Sequence, residues 1–100
     1  MENNELLNRV KSGDEEAIAI ALKHKGAIYR INALINIVRH SIVDSPKIIE
    51  LTYTLLQDSI MLDGYEVSDF AYATLDLIGI ESYSGDNQRV KALIDSRFEF

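Results

Sequence analysis

Apolar residues in this chain recur at intervals of three and four, and each run is punctuated: all five glycines and the only proline stand where an apolar pattern stops or starts. A period near 3.6 broken in this way selects amphipathic α-helices joined by short loops. No stretch longer than four residues alternates strictly between apolar and polar, so the β-branched residues, chiefly isoleucine, read as core choices on helices. The predicted class is all-α, with five or six short antiparallel helices in a single domain over residues 1–100.

The punctuation sets the boundaries. Leu6, Leu7 and Val10 define a short first helix. Ser12-Gly13-Asp14-Glu15 has the form of a capping box, so a second helix is expected from Asp14 to about His24, burying Ala17, Ile18, Ala21 and Leu22 and stopping before Gly26. From Ala27 the residues Ile28, Ile31, Leu34, Ile35 and Val38 fall on one helical face, which leaves Arg30, Asn32, Asn36 and Arg39 elsewhere. Ser45-Pro46 restarts the chain as a cap followed by proline at the first helical position, and that helix is expected to run to about Ile60 through Ile48, Ile49, Thr52, Leu55, Leu56 and Ser59. Residues 61–67, around Gly64, read as a loop. Ser68-Asp69 caps the next helix, with Phe70, Ala71, Thr74, Leu75 and Ile78 inward and Gly79 ending it in a left-handed conformation. Asp86 is the expected cap of a final helix with Val90, Leu93 and Ile94 inward, followed by Phe98 and Phe100, which either pack back on the core or extend from it.

Composition excludes several classes. With 47% hydrophobic and 26% charged residues the chain lies outside the regime of disorder, and its apolar runs are too short to span a bilayer. The absence of cysteine removes disulfides, zinc-thiolate sites and cysteine nucleophiles, and the acidic start at Met1-Glu2-Asn3-Asn4-Glu5 is unlike an export signal, so a soluble cytoplasmic protein is expected.

Residues 29–38 can be laid on residues 69–78 with an offset of 40, so that Ala33 meets Ala73, Ile35 meets Leu75, Asn36 meets Asp76 and Ile37 meets Leu77. Each of these helices follows another amphipathic helix. Through Arg30, Ala33 and Leu34 in the first pair and Ala73, Leu77 and Gly79 in the second, roughly residues 14–79 resemble the HEAT-like, armadillo-type α-helical repeats. The resemblance implies two helix pairs in a right-handed stack, with the terminal segments as caps; the alternative is a compact helical bundle.

The chain has no recognisable catalytic motif. Its glycines are isolated, whereas a phosphate loop needs them clustered. His24 and His40 stand at helix C-termini, where a cation is favoured with or without function, and they lack the spacing of a helical zinc pair. The acids around Gly64 do not follow the calcium-loop pattern. No catalytic residue, cofactor or metal ligand is therefore assigned.

Charge carries the functional expectation. The net charge is -6, and no Lys or Arg occurs between Lys47 and Arg89, a window holding Glu50, Asp58, Asp63, Glu66, Asp69, Asp76, Glu81 and Asp86 together with Tyr53, Tyr65, Tyr72 and Tyr83. Such a surface repels nucleic acid and attracts a basic protein, with tyrosines as anchors. The expected contact set is Asp58, Asp63, Tyr65, Glu66, Asp69, Tyr72 and Asp76, on a non-enzymatic protein-binding module. A sharper form is a small inhibitor, such as a bacterial immunity protein neutralising a basic toxin. The competing expectations are an inter-helix ligand site or enzyme using His40 or Asp76 with a tyrosine, and a homodimer held by the same tyrosines.

Overall fold

The computed structural model describes residues 1–99; Phe100 lies outside the described residues. The chain forms α1 (Asn3–Lys11), α2 (Glu15–Leu22), α3 (Ala27–Arg39), α4 (Pro46–Thr54), a 3-10 turn (Leu55–Gln57), β1 (Met61–Leu62), β2 (Tyr65–Glu66), α5 (Val67–Leu77) and α6 (Gln88–Ser96). It is an all-α architecture carrying one small antiparallel hairpin, in which Met61 pairs with Glu66 and Leu62 with Tyr65.

Helix α3 is the central element, packed on α1 and α2 from one side and on α5 from the other. It therefore buries more than one stripe. Ile31, Leu34, Ala33 and Ile37 are inside, but so are Arg30 and Asn36, while Ile28 is 46% exposed. The expected single apolar face is thus corrected: contact on two sides rotates polar positions inward, and each finds a partner. Arg30 Nη1 donates to the carbonyls of His24 at 2.6 Å and Lys25 at 2.8 Å, closing the exit of α2, and its Nε lies 2.8 Å from Asp58 Oδ2. That last contact lacks the in-line geometry of a hydrogen bond and acts as an ion pair.

Helix α2 packs on α3 and α4, and α5 packs on α3 and on the 3-10 turn that follows α4. Ala33 and Ala73, the positions aligned 40 residues apart, are both fully buried, and Thr74 Oγ1 donates to Leu34 O at 3.3 Å between α5 and α3. Of the aromatic tail, Phe98 is 1% exposed and its ring lies 5.6 Å from Phe70. Arg97 and Phe98 both have positive φ, 54° and 58°, so the chain spends backbone strain to turn Phe98 back onto the core.

Several boundaries differ from expectation, each for a local reason. The Ser12/Glu15 capping box does not form. Ser12 ends α1 and donates to Arg9 O, while Asp14 caps α2 by accepting from Ala17 N–H. Gly13, at φ 84°, sits against the His40 ring, where a Cβ would come within 2.7 Å of Nδ1. Helix α4 stops at Thr54, well short of Ile60. Thr52 and Thr54 turn their hydroxyls back on Ile48 O and Leu51 O, and Asp58 then adopts an extended conformation whose carbonyl accepts from Ser68 N–H.

The expected 61–67 loop is instead the β1/β2 hairpin. Asp63 and Gly64 have φ values of 53° and 87°, the two left-handed residues of a type I′ turn. Glu66, not Ser68 or Asp69, is the N-cap of α5: its carboxylate takes the Asp69 N–H while Asp69 accepts from Glu66 N–H at 2.8 Å. Asn87, not Asp86, caps α6. Gly79 does end α5 at φ 77°, and the bonds Gly79 N–H to Asp76 O and Ile80 N–H to Leu75 O complete a Schellman terminus.

The Arg30–Asp58 side chains are 10% and 14% exposed, so removing one partner strands a charge. Asp58→Ala should lower unfolding stability by about 3 kcal/mol, read as a reduced urea midpoint with unchanged slope. Phe98→Ala should cost a similar amount, about 3 kcal/mol, through cavity formation.

Candidate functional site

The structure divides the seven expected contact residues among four places. Asp58 is committed to Arg30 and, through Oδ1, to Ile60 N–H. Glu66 and Asp69 belong to the junction of α5 and α6. Asp69 is 1% exposed and accepts from Glu66 N–H, from Asn87 Nδ2 at 3.2 Å and from Arg89 Nε at 2.7 Å, with Glu66 3.9 Å from the same guanidinium. The hydrogen bond it donates to Asp69 holds the Arg89 guanidinium even more firmly protonated than usual. Asp63 and Tyr65 stand on the hairpin, where Tyr65 meets Phe70 edge-on at 5.6 Å beside an apolar groove formed with Ile28, Ile31 and Leu62. Tyr72 stands at the middle of α5, an 11-residue helix about 16 Å long, and Asp76 in its last turn.

At that far end the chain assembles a tyrosine and carboxylate cluster. The segment after Gly79 folds back along α5. Asp76 Oδ2 accepts from Tyr83 N–H at 2.8 Å, Tyr83 Oη accepts from Asn87 N–H at 3.0 Å, and α6 then begins beside the first turn of α5. This pinning brings the Tyr83 ring to 5.4 Å from Tyr72 in an edge-to-face pair. From α4, Tyr53 Oη donates to Glu81 Oε1 at 2.8 Å. Beside these groups is an open cleft of about 330 Å³ lined by Tyr72, Leu75, Glu81, Ser82, Tyr83, Ser84 and Gly85.

The electrostatics of this cleft favour a cation. Asp76 and Glu81 have no Lys or Arg within ion-pair distance among the described residues. The last turn of α5 carries no basic residue, leaving the negative end of its dipole uncompensated. The setting matches the charge division of the whole chain: seven basic and six acidic residues through Lys47, but three basic and ten acidic from Ile48 onward.

Tyr53, Glu81 and Tyr83 stand in the acidic window yet outside the expected contact set. The pairing of Tyr72 with Tyr83 depends on the path of the 78–87 connection, which no periodicity encodes. Asp76, expected in mid-helix beside a buried stripe, instead stands in the last turn of α5, where its carboxylate reaches the returning loop.

The histidines serve the scaffold. His24 Nδ1 accepts from Gly26 N–H at 2.9 Å, so its proton sits on Nε2, facing Asn3 Oδ1, and its ring stacks 4.0 Å from Tyr29. His40 Nε2 donates to Lys11 O at 3.0 Å, at the junction of α1 and α2, while Asp76 is turned to the 83 loop. Among the described residues no group of three or more His, Asp or Glu side chains could hold a metal ion, and no helix is long and apolar enough to cross a membrane.

Two outcomes test this geometry. The Glu81 hydrogen bond, with partial burial and the nearby negative charge, raises the Tyr53 hydroxyl above the ordinary tyrosine range. Its protonated form is therefore favoured in the fold, and the stabilisation is complete below about pH 10 and lost as pH rises through the folded value. In a spectrophotometric titration one tyrosine should ionise late, and Glu81→Gln should bring that tyrosine back toward the others. Separately, a Cβ on Gly85 would stand 2.6 Å from Tyr83 Cζ. Gly85→Ala should displace the Tyr83 ring, lower stability by about 1 kcal/mol and change the near-UV circular dichroism.

Comparison with known protein families, with curated proteins and with solved structures finds no match to this chain, and its function is read from its own geometry.

Proposed function

We propose that the chain is a non-enzymatic protein-interaction module of the cytoplasm that binds a basic protein partner through the acidic, tyrosine-bearing surface at the C-terminal end of α5. The observation that carries this reading is an open cleft lined by Tyr72, Glu81 and Tyr83, with Tyr53 bonded to Glu81 and Asp76 to the Tyr83 amide, where neither carboxylate has a basic neighbour within ion-pair distance among the described residues. Tyrosine supplies contact area at a low cost in side-chain ordering, and the carboxylates add attraction and speed to the encounter with a positive surface.

The contact set narrows accordingly. Asp58, Glu66 and Asp69 have their carboxylates engaged by Arg30, Arg89 and backbone amides, and spend little of their charge on the outside. Asp63 and Tyr65 stand apart on the hairpin, so that Tyr72 and Asp76 remain, joined by Tyr53, Glu81 and Tyr83.

The HEAT-like reading is compatible with this assignment. It is supported by the packing of α2 on α3 and α4 and of α3 on α5, and by the burial of Ala33 and Ala73 at equivalent places. In that arrangement the cleft lies on the connection leaving the second helix pair, where loops carry recognition on a rigid support.

The test is affinity capture from a native lysate, comparing the wild-type chain with the triple variant Asp76→Asn, Glu81→Gln, Asp86→Asn, which leaves the Arg30 and Arg89 ion pairs intact. A basic protein should be retained by the wild type, released as ionic strength rises, and lost from the variant. Capture indifferent to both salt and variant would overturn the proposal.

A further inference from the structure

We infer that the cleft between Tyr72, Tyr83 and Glu81 takes the guanidinium of a single arginine side chain on the partner, an assignment that rests on the acidic tyrosine surface being the contact face.

The lining supports arginine through the groups left open once the internal bonds are counted. Glu81 gives Oε1 to the Tyr53 hydroxyl and keeps Oε2 unclaimed among the described residues; Asp76, outside the lining, holds Tyr83 N–H through Oδ2 and adds its charge to the setting. Ser82 and Ser84 lie on the same wall. Two half-buried tyrosine rings stand at 63° to each other with centroids 5.4 Å apart, so aromatic surface and carboxylate oxygens border one space.

A guanidinium suits this mixture because it is planar and weakly hydrated. It stacks on a ring while its five N–H donors reach acceptors in its own plane. A lysine ammonium is a compact, strongly hydrated point charge and would surrender more water to enter a half-open cleft for fewer directed bonds. The cleft, about 330 Å³, is of a size to admit one such head group and part of its stem.

Two features hold the cleft ready. Gly85 lets the Tyr83 ring lie against the backbone, where a Cβ would collide, and the Tyr53 bond fixes Glu81 from the α4 side. The recognition surface is thereby oriented before any partner arrives, which limits the ordering cost of binding.

The experiment uses the full chain, 15N-labelled, titrated at constant ionic strength with Nα-acetyl-arginine methylamide and with the matching lysine derivative. The arginine derivative should produce saturable amide shifts confined to Tyr72 and residues 81–85, with weaker shifts from the lysine derivative. Tyr72→Leu should reduce arginine affinity about threefold to fivefold, the ratio expected from losing one partly exposed ring contact. Glu81→Gln should reduce it further while leaving the amide signals of α1 to α3 in place, which separates loss of the site from loss of the fold. Equal shifts from both derivatives, insensitive to Tyr72→Leu, would overturn the arginine site while leaving a general acidic contact face. No shift at residues 72–85 from either derivative or from polyarginine would overturn both.

Discussion

The fold depends most on how one buried cation is shared. Arg30 enters α3 one turn after the α2–α3 connection, and its guanidinium gathers three acceptors: the carbonyls of His24 and Lys25 in that connection, and the carboxylate of Asp58 that follows the 3-10 turn after α4. Carbonyls of a tight connection need donors, and a buried cation needs acceptors; each requirement meets the other here. Because Asp58 is held at this point, its own carbonyl is placed to accept from Ser68 N–H, and the hairpin between them is closed at its base. The path from α4 into α5 therefore follows from a charge located on α3.

A second polar centre does for α5 and α6 what Arg30 does for α2 to α4. Asp69 is inside the protein with three donors, one from the backbone at its own helix start and two from the opening of α6. It fixes where α6 begins, and so determines that residues 78–87 must travel back along α5. The bonds at Asp76 and Tyr83 Oη hold that return path at two further points. The cleft is a product of this route. Its lining comes from α5 and the connection, with Tyr53 of α4 bonded to Glu81, and only the route brings these groups together.

The same considerations explain which acids are free to act. Loss of solvent makes an unpaired carboxylate costly, so acids near the core are matched by Arg30 and Arg89. Carboxylates at the far end of α5 stay half-buried or exposed, near the negative pole of a helix whose last turn carries no basic residue. Acidity averaged over the second half of the chain conceals this division between structural and available charge.

The helices themselves were legible in the sequence, because amphipathic period, proline at the start of α4 and glycine after α5 are local signals. Ala17, Ile18, Ala21 and Leu22 of α2, Phe70, Ala71, Thr74 and Leu75 of α5, and Val90 and Leu93 of α6 are buried as the same pattern indicates, whereas the burial of Asp69 is not in it. The hairpin had its signal too, in Asp63-Gly64, but strands of two residues are too short to show alternation. The burial of Arg30 and Asn36, the shortening of α4, the shift of capping roles to Asp14, Glu66 and Asn87, and the meeting of Tyr53, Tyr72 and Tyr83 with Glu81 were decided by tertiary structure. Periodicity reports which side of a helix prefers to leave water, and this chain's sequence determined that much. Which partner covers each side, and which polar atoms are then forced to pair, depends on neighbours remote in the chain and is settled only when the elements pack.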